Sequence, residues 1–329
     1  MERFMPLLTP LGVVIGIIVG SSFSIVQPPR DGWISPTVTI LFGFMTFSGA
    51  LSMNIRDFVS TIRKPRDIII FFLGSHVLLP LLTYHAASLI FSAETDIPIG
   101  FLLLFSTPTA VTGYVWSSIY KGHEPLSLTL IVIDTLLAPF VVPLTISLIS
   151  GASVSIDSAS MMMSLLWMVA LPSILGMTLN QVTHGRVSDT VVHVLKPFGK
   201  VALLIVICLN VSRIAPDILA MTWADLPIAI VACIAVAVTF IVGRLLSLAG
   251  VSGQKDRNVS MTFAIGLRNI SAAMVLSISF FPPRSAIPVI CGIIVQQSIC
   301  AIMGKLLFPV RQSPARKDTA IVKDTARIT

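Results

Sequence analysis

The stretch that decides the fold is residues 97–120, IPIGFLLLFSTPTAVTGYVWSSIY, an apolar run without a single charged residue. As a helix, a run of this length covers about 36 Å at 1.5 Å per residue, which is enough to cross about 30 Å of hydrocarbon. The run is interrupted by Thr107-Pro108-Thr109, with Gly113 soon after. The stretch therefore predicts a membrane helix that is broken near its middle.

Similar apolar runs recur along the whole chain. Hydrophobic residues make up 55% of the 329 residues and charged residues only 11%, whereas a soluble domain carries about 25% charged residues. The predicted spans are residues 5–26, 35–54, 67–92, 97–120, 125–149, 158–180, 197–213, 225–249, 258–281 and 285–308. We therefore predict an all-α integral membrane protein, with a ten-helix transporter domain at 1–308 and a basic, disordered tail at 309–329.

The remaining composition argues against several classes of protein. The formal charge is +7, but the basic residues lie in short loops and in the tail, so a nucleic-acid partner is not expected. No pattern for cleavage of a secretory signal opens the chain. All four cysteines lie inside apolar runs, without the spacing of metal ligands or of a disulfide framework: Cys208, Cys233, Cys291 and Cys300. Neither a cofactor nor an obligate protein partner is expected; the surroundings are a lipid bilayer.

The loop charges predict the orientation. Fifteen basic residues fall on one side: Arg3, Arg56, Arg63, Lys64, Arg66, Lys121, Arg186, Lys196, Lys255, Arg257, Arg311, Arg316, Lys317, Lys323 and Arg327. Three fall on the other: Arg30, Arg213 and Arg284. The positive-inside rule then places both termini in the cytoplasm, in an inner or plasma membrane. An even number of spans agrees with this.

Ten spans divide into two halves of five, at about 5–149 and 158–308. The second half would then be inverted in the membrane relative to the first, as in many secondary transporters. The fourth span has its interruption at Pro108, and the ninth carries Gly266 beside Arg268. Broken helices at matching places point to a binding site near the midplane, although proline and glycine are also frequent in membrane helices for other reasons.

Four titratable side chains stand out at membrane depth within the predicted spans: His76, Asp134, Arg244 and Arg268. A charge near the bilayer centre costs at least about 2.5–3.5 kcal/mol, so it is usually paired or exposed to water. Arg244 is near enough to the end of its span to reach the interface. We hypothesise that Asp134 and Arg268 pair or share a water-lined cavity, with Arg268 available to an anion. The alternative is a fixed ion pair that locks the two halves together.

The other polar residues at depth allow two interpretations. His76 is either a hydrogen-bonded packing residue or a titrating group for proton coupling. Gln296, Gln297 and Asn210 either line a path or join helices by hydrogen bonds.

Several segments, taken in order, resemble the bile acid:sodium symporter family of secondary transporters. They are Phe42-Gly43-Phe44-Met45, Gly49-Ala50-Leu51-Ser52, Asp57-Phe58, Leu78-Leu79-Pro80-Leu81, Tyr120-Lys121-Gly122-His123, Leu126-Ser127, Thr135-Leu136-Leu137-Ala138-Pro139 with Pro143, and Ile265-Gly266-Leu267-Arg268-Asn269-Ile270-Ser271-Ala272-Ala273. The resemblance implies two inverted five-helix repeats, and a core domain in which broken spans four and nine cross, beside a moving panel domain. It also implies organic anions as substrates and sodium as the usual driving ion.

The sequence departs from this family where sodium would bind. A family Ser-Asn pair corresponds to Gly113 and Tyr114, with Thr112 just before them. A glutamate of the family corresponds to Ala264 of this chain, and a glutamine of the family corresponds to Arg268. A glutamine in span three of the family corresponds to Ser75, which is beside His76. Ser127 keeps a hydroxyl of the family, whereas Ile131 replaces the next hydroxyl. These departures argue against sodium coupling, and suggest that Arg268 substitutes for a sodium ion with Asp134 as its counter-charge.

Two alternatives remain for the cation and one for the class of protein. Oxygens of Asp134, Thr109 and Ser271 would form a sodium site if the correspondence is shifted, and a proton is another candidate coupling ion. An intramembrane enzyme would need a catalytic set with recognisable spacing, which His76 and Asp134 do not have. The predicted function is secondary transport of a small organic anion. The predicted substrate and ion site contains Arg268, Asp134, Thr109, Thr112, Gly113, Tyr114, Ser127, Asn269, Ser75, His76, Ala264 and Gln296.

Overall fold

The computed structural model describes residues 5–23, 26, 31–51, 65–151, 157–184, 186–213, 215–220, 222–250 and 254–309, and almost all of them are helical. The helices are α1 (Met5–Ser22), α2 (Ile34–Ala50), α3 (Pro65–Ile90), α4 (Asp96–Ser106), α5 (Thr112–Ile119), α6 (Glu124–Ser150), α7 (Ser158–Val182), α8 (Arg186–Arg213), α9 (Ala215–Leu219), α10 (Leu226–Gly250), α11 (Lys255–Gly266), α12 (Ile270–Phe280) and α13 (Ala286–Leu307). The predicted tail from residue 310 onward, and the loop 52–64 with Asp57, lie outside the described residues.

Within the residues that the structure describes, five helical segments are long and apolar enough to cross a membrane: Pro65–Ile90, Glu124–Ser150, Ser158–Val182, Leu226–Gly250 and Pro283–Leu307. The other predicted spans coincide with shorter apolar helices or with the two broken pairs, α4–α5 and α11–α12. The main difference in bounds is α8, which begins at Arg186 rather than at 197. Hydropathy detects apolar residues rather than helix, so it missed this polar first part. The inverted five-plus-five arrangement stays a prediction.

Helices α3 and α7 share a local irregularity. Each contains a π-helical turn, Leu73–Leu78 or Leu166–Ala170, immediately before a Leu-Pro pair. Proline has no N–H and its ring clashes with the carbonyl four residues back, and a wider turn relieves both problems. In α3 that carbonyl belongs to His76, and it accepts a hydrogen bond from the Thr145 hydroxyl at 3.2 Å. The π turn therefore lies where α3 meets α6.

The helices pack in two groups. In the first, α1 and α2 pack on α8, and α2 also packs on α7. In the second, α10 packs on α11 and α13, while α4 packs on α3 and α13 and α11 packs on α6. The groups meet where α6 and α7 lie side by side. The two broken helix pairs both belong to the second group.

A stripe of glycines on α1 lets it approach α8 closely. Gly12, Gly16 and Gly20 recur at four-residue spacing, so they share one face of the helix. A Cβ atom at Gly16 would lie 2.8 Å from the Cys208 carbonyl oxygen, and one at Gly20 would lie 2.3 Å from the Ser212 carbonyl oxygen. Small residues at this spacing allow close packing of membrane helices. The stripe therefore explains why α1 lies directly on α8.

Polar contacts join loops at each end of the molecule. At one end Arg284 donates to Glu94 at 2.8 and 3.0 Å and to Asp225 at 3.2 Å. The pKa of Asp225 lies below its usual value, chiefly because the backbone N–H of Thr222 donates to its carboxylate, with a further contribution from Arg284. At the other end Arg257 pairs with Asp67, and both are buried. The His123 N–H also donates there to the Asp256 carbonyl at 3.1 Å.

Candidate functional site

The breaks in the two helix pairs lie against each other. Thr109 and Arg268 form an isolated antiparallel bridge. The Ala110 N–H donates to the Leu267 carbonyl at 3.1 Å, and the Asn269 N–H donates to the Pro108 carbonyl at 2.8 Å. The predicted interruptions of spans four and nine are therefore confirmed, and the extended backbone between the half-helices satisfies its polar groups across the crossing, as it must within a protein interior.

The sequence explains where each break occurs. Pro108 disfavours helical backbone at the preceding residue, and Thr107 is extended, at φ −68° and ψ 158°. In the other pair, α11 ends at Gly266 and Leu267 is extended, at φ −111° and ψ 124°. Helix α12 then begins under the cap of Asn269, whose side-chain oxygen accepts from the Ala272 N–H at 3.2 Å. Asn269 is thus part of the crossing.

Thr109 holds the end of α11. Its hydroxyl lies 2.7 Å from the Ala264 carbonyl and 3.1 Å from the Leu267 carbonyl, and donates to them. The last carbonyls of a helix have no partner within that helix, so a buried helix end needs donors from elsewhere. Ala264 contributes to the site through this carbonyl, since its own side chain is an inert methyl group.

Asp134 of α6 is completely buried and joins the crossing to α3. Its Oδ1 lies 2.6 Å from His76 Nε2, and its Oδ2 accepts from the Thr109 N–H at 2.6 Å. The carboxylate therefore connects a side chain of α3 with the backbone at the break of α4–α5.

Arg268 is also buried, with 1% of its surface exposed, and its guanidinium binds carbonyls rather than a carboxylate. Nη1 donates to the Thr107 carbonyl at 3.3 Å and Nη2 to the Ile265 carbonyl at 2.9 Å. Its backbone is clamped by Gln296, whose amide oxygen accepts from the Arg268 N–H and whose amide nitrogen donates to the Arg268 carbonyl. Gln296 thus fixes the position of the arginine.

Direct pairing of Asp134 with Arg268, one form of the sequence-based hypothesis, is wrong for this structure. Among the described residues the ion partner of Asp134 is His76, although Asp134 lies close enough for its charge to act on Arg268. The physical reason is competition: two helix ends offer Arg268 carbonyls at short range, while His76 and the Thr109 N–H take both carboxylate oxygens. Arg268 is not open to solvent in this conformation.

The remaining predicted residues lie at different distances from the crossing. The hydroxyls of Ser75 and Ser127 are buried and have no hydrogen-bond partner in the described part of the chain. Thr112 opens α5, and its hydroxyl accepts a long bond of 3.5 Å from Gln297. Tyr114 instead donates to Glu124 at an exposed position, so the structure does not bring it to the crossing.

Two roles of backbone groups in the site were not predicted from the sequence, although Gly113 itself was among the predicted site residues. Gly113 acts through its backbone, donating to the Ala110 carbonyl at 2.9 Å in the turn that starts α5. The carbonyls of Thr107 and Ile265 are the acceptors for Arg268, and a carbonyl acceptor has no signature in the side-chain sequence. The sequence offered one indication of these acceptors, because Thr107 and Ile265 both lie at predicted helix breaks.

Comparison with known proteins shows the family of the chain. The family model described as "Sodium Bile acid symporter family" matches residues 39–221. The chain belongs to the sodium bile acid symporter family. It is 34% identical to "Uncharacterized protein YbaS" of Bacillus subtilis (strain 168), over 92% of this chain and 96% of the relative.

Other relatives in this family carry more informative names. The chain is 27% identical to "Uncharacterized sodium-dependent transporter YocS" of Bacillus subtilis (strain 168), over 84% of this chain and 83% of that protein. It is 25% identical to "Probable sodium/metabolite cotransporter BASS1, chloroplastic" of Oryza sativa subsp. japonica, over 92% and 73%. Membership of this family makes the chain a membrane transporter rather than an enzyme, as predicted.

Proposed function

We propose that the protein is a secondary transporter of a small organic anion, working by alternating access at the crossing, with Arg268 in the place of a coupling sodium ion. The observation that carries this proposal is the contact of the Arg268 guanidinium with the carbonyls of Thr107 and Ile265. Thr107 is the residue just after the end of α4, and Ile265 lies in the last turn of α11.

The ends of these half-helices favour a positive charge. A helix C-terminus carries about half a negative elementary charge, because its last carbonyls point outward without partners. In discontinuous membrane helices, such ends and unwound carbonyls are where coupling cations bind. The guanidinium of Arg268 supplies a permanent cation at this position, and Asp134 supplies a nearby negative charge. A second cation at the same carbonyls would meet repulsion from Arg268.

The other halves of the broken helices favour an anion. Helices α5 and α12 begin on the far side of the crossing, at Thr112 and Ile270. Helix N-termini carry a partial positive charge and free N–H groups, which attract carboxylates and other anions. Together with the charge of Arg268, they support an organic anion as substrate.

The packing supports a two-body mechanism. We propose that α1, α2, α7 and α8 act as the panel and the other long helices as the core, so that each body takes helices from both predicted repeats. In such folds one bundle rocks against the other around a fixed midplane site. The positive-inside rule supports the proposed orientation, with both termini cytoplasmic. The contacts agree with it on which ends share a side: Glu94, Asp225 and Arg284 lie at three connections predicted on the outer side, and Asp67 and Arg257 lie in the first turns of two helices that begin on the predicted inner side.

An ordinary sodium-coupled symporter is the second candidate. The names of two relatives include sodium, and Thr109 and Asp134 bring hydroxyl and carboxylate oxygens to the crossing. Sodium prefers such oxygen ligands. In this case Arg268 would have a structural role, and sodium would bind beside it.

A thermal melt of the purified protein in detergent, in sodium or potassium chloride at matched ionic strength, separates the two candidates. A ligand at 100 times its Kd stabilises the native state by about 2.7 kcal/mol, which a melt resolves. We expect the same melting temperature in both salts. The variant Arg268→Gln removes the guanidinium and should melt at a lower temperature in potassium, with part of the loss recovered in sodium.

Arg244→Gln is the matched control, because Arg244 lies in a long apolar helix but rests over the Phe308 ring, away from the crossing. It should show no difference between the two salts. A rise of the wild-type melting temperature that is specific to sodium would contradict the proposal and support the sodium symporter. Stabilisation by organic monoanions, in the same melt, tests the substrate class.

A further inference from the structure

His76 and Asp134 form a titratable pair in the interior of the molecule. His76 lies in the π turn of α3 with 4% of its surface exposed, and its ring stacks on Phe72 with centroids 5.4 Å apart. The Nε2 atom lies 2.6 Å from Oδ1 of the fully buried Asp134. Through the other carboxylate oxygen, the pair is bonded to the backbone of Thr109 at the crossing. A change of charge on His76 is therefore transmitted directly to the proposed site.

The hydrogen-bond inventory shows where a proton can be added. Asp134 Oδ2 accepts from a backbone N–H, and Oδ1 accepts from His76 Nε2 when that nitrogen carries the ring hydrogen. The remaining ring nitrogen, Nδ1, is buried and has no hydrogen-bond partner within the described residues. A charged N–H left there without an acceptor would cost more than an unused lone pair. The arrangement therefore fits a neutral imidazole with a free lone pair at Nδ1.

The charges around His76 come from five neighbouring helical segments and the crossing. The titratable or charged groups on these segments, besides His76, are Arg66, Asp67, Tyr84 and His85 on α3; Asp96 on α4; Glu124 and Asp134 on α6; Cys233 and Arg244 on α10 with Asp225 just before it; and Lys255, Asp256, Arg257 and Arg268 on or after α11. Asp134 contacts His76 directly, and Arg268 lies within range of the charge on Asp134. Asp67 and Arg257 neutralise each other, and Arg244 rests over Phe308.

The polar set at the crossing is therefore electrically balanced when His76 is neutral. Arg268 contributes one positive charge and Asp134 one negative charge. Uptake of one proton by His76 leaves the set with a net charge of +1, which one monovalent anion neutralises. Charges interact strongly at this depth because the local dielectric is low.

We propose that His76 takes up one proton for each substrate anion, so that the carrier is an electroneutral proton–anion symporter; this inference rests on the proposed function. The proton comes from the aqueous phase and binds the lone pair of Nδ1. Nε2 keeps its hydrogen, Asp134 stays a carboxylate, and no other bond forms or breaks. On the opposite side of the membrane the anion leaves and Nδ1 releases the proton to water.

Charge balance provides the coupling. The empty carrier and the carrier with both proton and anion have no net charge at the crossing, whereas a carrier with only one of them does. Exposing an unbalanced charge to the low-dielectric interior during the change of access is costly. Only the two balanced forms therefore change access readily, and the proton and the anion cross together.

The test uses the full chain in proteoliposomes, with labelled lactate, gluconate and taurocholate as probes. Counterflow of label at equal pH on both sides tests anion transport alone. For a transported probe, an acidic exterior should drive accumulation, and an imposed membrane potential should leave it unchanged. By linkage, the apparent affinity should rise about tenfold per pH unit of acidification as long as the empty carrier has not taken up the proton.

Two variants and one control assign the effect to this pair. His76→Gln and Asp134→Asn should both lose accumulation driven by the pH gradient, because neither variant has a charge-balanced form that carries the proton and the anion together. His85→Gln is the matched control, since His85 lies on the same helix with an exposed ring beside Tyr84, and it should behave as wild type. Nitrogen-15 shifts of His76 in the wild-type protein need no variant. They should change from imidazole to imidazolium values when the transported probe binds.

The outcomes separate the two proposals. Absence of counterflow for all three probes contradicts the organic-anion function itself. Counterflow that proceeds without any response to a pH gradient, or His76 shifts that stay constant on probe binding, overturns proton coupling alone. Undiminished gradient-driven accumulation in His76→Gln would also overturn it.

Discussion

Thr109 and Asp134 show how single side chains hold two broken helices in register. Thr109 donates its N–H to Asp134 and its hydroxyl to carbonyls at the end of α11. Asp134 in turn holds His76 of α3. Each bond satisfies a buried polar group that would otherwise cost about 1–3 kcal/mol. These polar side chains thus supply hydrogen bonds at the crossing, where the extended backbone cannot form the hydrogen bonds of a regular helix.

At this scale we predict the effect of removing the Thr109 hydroxyl. Thr109→Val keeps the shape of the side chain but removes the hydroxyl that donates to the Ala264 carbonyl, while the Leu267 carbonyl keeps the Ala110 N–H as a donor. Unfolding in mixed micelles should therefore cost about 1–3 kcal/mol less than in wild type. Thr109→Ser is the control: it keeps the hydroxyl and should lose much less. Equal stability of Thr109→Val and wild type would show that the Ala264 carbonyl finds another donor.

The sequence identified the charged residues of the site but not the way they pair. A charge within an apolar run is visible in the sequence, so Asp134, Arg268 and His76 were all singled out. The choice of partner depends on distances across three helices, which differ by a few ångströms and leave no trace in the order of residues. The interpretation of Asp134 as the direct partner of Arg268 failed for this reason.

At the scale of elements, helix breaks were more predictable than helix contacts. Pro108 excludes helical backbone before it, so the break in α4–α5 follows from local chemistry. The glycine stripe of α1 was overlooked, because hydropathy treats glycine as a weakly apolar residue. Its role becomes visible only when α8 is seen to cover it.

For the contact between α1 and α8, we predict that Gly16→Ala lowers the melting temperature of the protein. The added Cβ would lie 2.8 Å from the Cys208 carbonyl oxygen and from Val211 Cβ, so α1 must move away from α8. Overpacking of this kind typically costs about 1–3 kcal/mol.

Gly49→Ala in α2 provides the comparison, because no atom of the described residues lies within 4 Å of a Cβ atom at that position. It should leave the melting temperature unchanged or raise it slightly, since alanine favours helix over glycine by up to about 1 kcal/mol. A melt of the two purified variants in one detergent gives the result. Equal melting temperatures would mean that α1 and α8 are not held at this distance.

At the scale of the whole molecule, the polar contacts and the loop charges concern different aspects of the topology. The Arg284 cluster and the Arg257–Asp67 pair show which ends of helices lie on the same side. The positive-inside rule predicts which of the two sides is cytoplasmic. The proposed placement of both termini in the cytoplasm therefore rests on the charges.

Reporter fusions test this orientation in a bacterial host. A green fluorescent protein at the C-terminus should fluoresce, and alkaline phosphatase at the same place should be inactive, because each folds on one side of the membrane only. Phosphatase fused after Ala93, in the loop that holds Glu94, should be active. Active phosphatase at the C-terminus would contradict the predicted orientation.

The sequence by itself determined the membrane class, the positions of the helices, the two breaks and the family resemblance. These features depend on local properties: length, hydropathy, and the backbone restrictions of proline and glycine. The tertiary structure alone decided that the two breaks bridge at Thr109 and Arg268, that Arg268 lies on helix-end carbonyls, and that Asp134 pairs with His76. The physical reason is that contacts between groups distant in the chain depend on the three-dimensional arrangement of the helices. Every residue carries the same carbonyl oxygen, so the sequence does not show which carbonyls will accept a hydrogen bond.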